Sequence, residues 1–273
     1  MLLAIDVGNT ETVVGLLDGL EVKHHWRVST VANRTADELM ALLRGLFTGV
    51  HDHDVDGVAV CSTVPAVLRP VRALVERYYP NVPSVLVEPG VRTGVPVLTE
   101  NPREVGSDRV VNTLAAIHLF GGPCIVVDFG TATTFDVVSA KGEYIGGAIA
   151  PGIGVSLDAL GDAGAQLRRV ELAAPRSVIA KNTVEALQSG ALYGFSGQVD
   201  GIVTRMAHEL AVSLDGLPVI ATGGLATVVL DEAATINRHE PWLTLIGLGL
   251  VFDRNLNSAG TEERRGHRLA PGG

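Results

Sequence analysis

The heptapeptide DVGNTET at residues 6–12 returns as DFGTATT at 128–134, 122 residues further along, with the Asp, the Gly and the final Thr in register. Each copy ends an apolar run, LLAI before Asp6 and CIVV before Asp128, and each is followed by a second apolar stretch, TVVGLLDG or TTFDVVSA. Apolar run, Gly/Thr turn and apolar run make a hairpin with an acid where its first strand ends. A third strand-like segment comes next in both halves, EVKHHWRVST in one and GEYIGGAIA in the other. A fold with this chain must therefore accommodate two copies of one three-stranded meander.

Beyond each meander the pattern is α/β. TADELMALLRGLF has helical spacing, and Thr35 and Glu38 stand at capping-box distance. GVAVCS then reads as a strand, PAVLRPVRALVERYY as a helix opened by Pro65, and PSVLVE as a strand before a Gly/Pro-rich stretch from Pro89 to Pro102. In the second half GVSLDALGDAGAQL and the long segment from Asn182 to Leu214 read as helices, PVIAT as a strand and LIGLGLVFDRNLN as a closing helix. The expected fold class is α/β with two duplicated domains, residues 1–117 and 118–257, around a nucleotide cleft onto which both tips face. The polar, Gly/Pro-rich residues 258–273 read as a mobile tail.

Composition narrows the function. The chain has 273 residues, 47% hydrophobic and 19% charged, which suits a folded core and not a disordered chain. Thirty acids against 21 bases leave a net charge of −9, which disfavours nucleic acid or an anionic membrane as partner. No run of eighteen apolar residues and no export leader is visible, so a cytoplasmic address is expected. Cys61 and Cys124 lie in apolar surroundings without metal-ligand spacing and read as buried thiols.

A nucleotide would need an unusual grip here, because Lys23, Lys141 and Lys181 are the only lysines and none stands in a GxxxxGK[ST] loop. A tight turn exposing backbone N–H groups and hydroxyls can hold a phosphate without lysine. Gly8, Asn9 and Thr10 offer that at the first tip; Gly130, Thr131, Thr133 and Thr134 repeat the offer at the second. Asp6 suits Mg2+, directly or through water. A single Asp-Gly-Asn turn is ordinary turn chemistry, but two in-register copies at strand ends point to a site.

In EVGSDRVVN, Gly106, Ser107, Asp108 and Arg109 mark the passage from a loop into a helix. Ser or Asp there serves as a cap; alternatively Asp108 accepts a proton from an attacking hydroxyl while Arg109 grips an anion. A helix N-terminus favours a carboxylate, so Asp108 is expected to be ionised at neutral pH and a weak base. Asn182 reads as a cap, with the Thr183 hydroxyl open to a ligand. The glycines of GGAIAPGIG and of ATGGLA fit plain turns or close approach of a ligand to the backbone, and the His-Asp-His at 51–53 is assigned to solvent.

With DVGNT, GSDR, DFGTATT and GGAIAPG in that order, the sequence resembles the type III pantothenate kinases, a branch of the acetate and sugar kinase, Hsc70 and actin superfamily, from Met1 to about Asn257. The resemblance implies two ribonuclease-H-like domains and transfer of the ATP γ-phosphate to the primary hydroxyl of pantothenate, the first step toward coenzyme A. It places ATP phosphates on Asp6, Val7, Gly8, Asn9, Thr10, Glu11, Thr12 and Val13, with Thr131 also at ATP. Gly106, Ser107, Asp108 and Arg109 would bind pantothenate, Asp108 being the proton acceptor. Asp128 would hold a monovalent cation, potassium or ammonium, and Thr183 would reach pantothenate from the other subunit of a homodimer. Where the family often carries an aromatic residue beside substrate, this chain has Thr99. Two alternatives stay open: a non-catalytic, nucleotide-binding regulatory protein of the same fold, and a kinase for another small hydroxy acid.

Overall fold

The computed structural model describes residues 1–47, 49, 54–88, 90–164 and 170–266, with the last ten of these as backbone only. The His-Asp-His at 51–53 and residues 267–273 of the expected tail lie outside the described residues. By its contacts the chain divides into two compact units: Met1–Gly94 with Arg103–Ala115 and Thr244–Gly273, and Val95–Pro102 with Ala116–Leu243.

The first unit is built on β1 (Leu2–Val7), β2 (Glu11–Asp18), β3 (Glu21–Ser29), β4 (Gly57–Ser62) and β5 (Ser84–Val87), in sheet order β3-β2-β1-β4-β5. β1 to β3 form the antiparallel meander, and β4 and β5 join in parallel through helical crossovers. Helix α1 (Ala36–Leu46) starts where the capping box predicts, with Thr35 accepting from the Glu38 N–H and Glu38 accepting from the Thr35 N–H. Helix α2 (Pro65–Tyr78) has Pro at its first position, where no N–H is needed. Leu39, Met40 and Leu43 of α1 and Val67, Val71 and Leu74 of α2 bury their apolar faces against Leu3, Ile5 and Val60 of the sheet.

The second unit repeats the plan. β6 (Cys124–Phe129), β7 (Ala132–Val138) and β8 (Tyr144–Pro151) form the meander, and β9 (Val219–Thr222) and the two-residue β10 (Arg238–His239) complete the order β10-β9-β6-β7-β8. Helices α4 (Ile153–Ala163), α5 (Thr183–Glu209) and the short α6 (Ala226–Val229) belong to it, and Phe135, Leu192, Val199 and Val203 share its core with Ile125 and Val127. Helix α3 (Ser107–Phe120) lies on the chain between the two sheets, as the sequence predicts.

The copies differ at their tips. In the first ladder Val7 pairs with Thr12, leaving four residues in the turn; in the second Phe129 pairs with Thr133, leaving three. The ladder equivalent of Thr12 is therefore Thr133, not Thr134, which the letters align with it. Both threonines are buried, and Thr133 shares its strand face with Phe135.

The domain limits also differ from the contiguous 1–117 and 118–257 read from the sequence. The last helix, α7 (Leu243–Gly266), packs on the first unit: the Phe252 ring fills the space beside Gly57, and Leu245 that beside Gly15. Arg254 donates to the Thr93 carbonyl at 2.6 Å and Thr244 to Asn112 Oδ1 at 2.8 Å, both within that unit. Helical backbone continues past Ser258 to Gly266.

Candidate active site

Asp6 is the next-to-last residue of β1, a central strand, and it stands level with Val13 on one side and Cys61 on the other. The Cys61 thiol donates to Asp6 Oδ1 at 3.2 Å. Burial, then the negative charge of Asp108, push the Asp6 carboxyl up to about 7, against the pull of the Cys61 hydrogen bond and the Arg27 charge. The same burial keeps Cys61 a thiol, well above its ordinary range.

The turn after Asp6 is braced from behind. The Gly8 N–H donates to the Glu11 carbonyl at 3.0 Å, Thr30 Oγ1 to the Gly8 carbonyl at 2.7 Å, and the Thr30 N–H to the Thr10 carbonyl at 2.9 Å. Thr12 Oγ1 lies 2.9 Å from Thr30 Oγ1, and Glu11 pairs with Arg27 at 3.1 Å. Asn9, Thr10 and Glu11 remain exposed at the tip, whereas the Val7 side chain is in the core, so Val7 can serve a ligand only through its backbone.

Asp108 sits in the first turn of α3, and the end of β4 hangs that turn in place. Ser107 Oγ donates to the Ser62 carbonyl at 3.3 Å, while the Thr63 N–H donates to the Val7 carbonyl at 3.1 Å. Gly106 lies against the Asp108 carboxylate: a Cβ there would displace Asp108 Oδ1. That oxygen is buried and finds no hydrogen-bond partner among the described residues. Burial raises the Asp108 carboxyl above its ordinary value, although the Arg109 N–H and the Arg109 charge oppose this. The weak base expected from the helix terminus is thus corrected: desolvation outweighs the terminus, and the group is a stronger proton acceptor once ionised.

In the second unit Asp128 takes the place of Asp6 and stands level with Thr134 and with Thr222 of β9. Two neighbouring loops close on its turn. The Gly152 N–H donates to the Thr131 carbonyl at 3.2 Å, and the Leu225 N–H to the Phe129 carbonyl at 3.3 Å. Gly223, at φ +91°, lies so close to Asp128 Oδ1 and the Phe129 backbone that a Cβ would strike both. This packing accounts for the first glycine of ATGGLA without any ligand. Thr183 is placed by another device: it is the exposed first residue of α5, whose Asn182 cap accepts from the Glu185 N–H at 2.9 Å while Glu185 pairs with Arg176.

Of the residues that the sequence singles out, the structure brings Asp6 and Asp108 into one electrostatic neighbourhood. The sequence does not single out Thr30 or Thr63, and it reads Cys61 only as a buried thiol. For Cys61 the available signal was its place at the end of GVAVCS, level with Asp6 once that strand runs parallel to β1. Among the described residues no group of three or more His, Cys, Asp or Glu is arranged to hold a metal ion.

Two units of one topology, each with an acid at the head of a Gly/Thr turn, define a protein of the actin-like ATPase and sugar kinase fold class. Solved structures agree on the fold: a Baf family protein of Campylobacter jejuni superposes with TM-score 0.59 at 17% identity, over 93% of this chain and 99% of that one. The activator of the 2-hydroxyisocaproyl-CoA dehydratase from Clostridium difficile gives 0.54 at 13%, over 95% and 97%. The family model for type III pantothenate kinase matches residues 2–205, and the type III pantothenate kinase of Streptomyces avermitilis is 63% identical over 264 residues, 94% of this chain and 99% of its own. The chain belongs to the type III pantothenate kinase family.

Proposed function

We propose that this protein transfers the γ-phosphate of ATP to the primary hydroxyl of pantothenate, giving 4'-phosphopantothenate and so opening coenzyme A biosynthesis. The observation that carries this reading is the buried, unbonded Oδ1 of Asp108 beside Gly106, on a chain 63% identical to a type III pantothenate kinase over nearly its whole length. A buried carboxylate oxygen without a partner is costly, and a substrate alcohol O–H is a donor that satisfies it. Asp108 is then the base, Ser107 and Gly106 shape the acceptor pocket, and Arg109 meets substrate or phosphate charge.

ATP is assigned to residues 6–13 and to Thr131, with the exposed tip at Asn9 and Thr10 supplying N–H groups and hydroxyls. Magnesium suits Asp6, because that ion takes one or two carboxylate oxygens and fills its shell with phosphate and water. Held there, the ion would supply charge neutralisation at the transferred phosphate. Asp128 is assigned a monovalent cation, Thr183 a contact with pantothenate across a homodimer, and the cell compartment is the cytoplasm. No described helix is long and apolar enough to cross a membrane.

The test is an ATP-coupled assay with pantothenate, with and without potassium, beside a panel of other small hydroxy acids. Turnover confined to pantothenate and dependent on potassium is expected. Nucleotide binding without turnover on any acceptor would overturn the assignment.

A further inference from the structure

The end of β4 meets, in successive residues, the Asp6 carboxylate and the residue that precedes Asp108. Cys61 donates to Asp6 Oδ1 at 3.2 Å, the Ser62 carbonyl accepts from Ser107 Oγ at 3.3 Å next to Asp108, and Thr63 donates to the Val7 carbonyl through its N–H at 3.1 Å. Cys61 is 1% exposed, and its side chain projects to the same level as that of Asp6 because the strands run parallel in register. A thiol buried this way is not a nucleophile, since it gains no thiolate. What it can do is hold one carboxylate oxygen.

We propose that Cys61 is a positioning residue for the phosphate transfer: its S–H fixes the Asp6 carboxylate in the orientation in which it receives magnesium. This rests on the reading of Asp6 as the magnesium carboxylate. Groups that orient a metal-binding side chain from behind typically govern metal affinity by about 10- to 100-fold, and a thiol, being a weak donor, belongs at or below the lower end of that range.

The test uses the full chain as wild type, Cys61→Ser, Cys61→Ala, Cys61→Val and Asp6→Asn. In the ligand-free protein the infrared S–H stretching band of Cys61, identified by its loss in Cys61→Ser, is expected to move to higher frequency in Asp6→Asn. The magnesium concentration for half-maximal ATP binding, measured by calorimetry, is expected to rise about 3- to 10-fold in Cys61→Ala and Cys61→Val and to return to within about 2-fold of wild type in Cys61→Ser. An S–H band indifferent to Asp6→Asn overturns the proposal. So does a Val variant that binds like wild type while Ser does not, since that is the pattern of packing alone. If Asp6→Asn shifts the magnesium requirement and Cys61→Val leaves it unmoved, the Cys61 proposal alone falls. If Asp6→Asn leaves it unmoved, the reading of Asp6 falls and takes the Cys61 proposal with it.

Discussion

Asp6 feels the charge of Asp108: after burial, that neighbouring carboxylate is the main reason the Asp6 carboxyl is pushed up to about 7. Its folded pKa is thus raised above the unfolded value near 3.8. Linkage sets the sign. The stabilisation given by the neutral carboxyl is fully present below pH ~4 and is lost as pH rises through ~7, an effect of up to about 4 kcal/mol. Thermal unfolding of the ligand-free protein between pH 4 and 8 should show this decline, and Asp6→Asn should flatten it.

Asp108→Asn should lower turnover by about 10²- to 10⁴-fold, the range for loss of a general base. ATP affinity with magnesium should not fall, since the assigned role is toward the acceptor and loss of the Asp108 charge leaves the Asp6 carboxyl easier to ionise. Burial disfavours the charged form of Asp108, so the amide should leave the melting temperature at pH 8 unchanged or higher. A variant that retains full turnover removes the base.

Thr30 braces the first tip from outside it, through the Gly8 carbonyl and the Thr12 hydroxyl. Thr30→Val keeps the side-chain shape and removes both contacts. The expected result is a KM for ATP raised about 3- to 10-fold, consistent with one or two lost hydrogen bonds, with a smaller change in kcat. Steady-state kinetics at saturating pantothenate decide it.

Gly223→Ala should destabilise the second unit. Its φ of +91° is strained for any side chain, costing about 1–3 kcal/mol, and the new methyl would press on Asp128 and Phe129. Denaturant unfolding gives the stability loss, and a potassium titration should show weakened cation dependence if Asp128 is displaced. Gly224→Ala, next to it, serves as the control for a general effect on the loop.

The elements of the fold were legible because their signals are local. Alternating apolar residues, the Thr35 capping box and Pro65 at a helix start each act within a few residues of chain. The acids at the strand ends were legible because the duplication repeats them. The features that escaped the sequence depend on ladders and burial. Cys61 reaches Asp6 only through the parallel pairing of β4 with β1, and the burial that desolvates Asp108 outweighs the local helix-start signal that the letters carry. The carboxy-terminal helix joined the first unit through Phe252 and Leu245, contacts with Gly57 and Gly15 that no local pattern announces.

The shorter second tip limits how the halves can be exchanged. A chimaera that splices the β6–β7 hairpin into the first sheet by matching letters would seat Thr134 where Thr12 belongs, one step out of phase. Because neighbouring strand residues point to opposite faces, every side chain after the splice would turn over, carrying Phe135 out of the interior and Thr134 into it. Only a graft with its second seam moved by one residue would preserve the inside and outside of the strand.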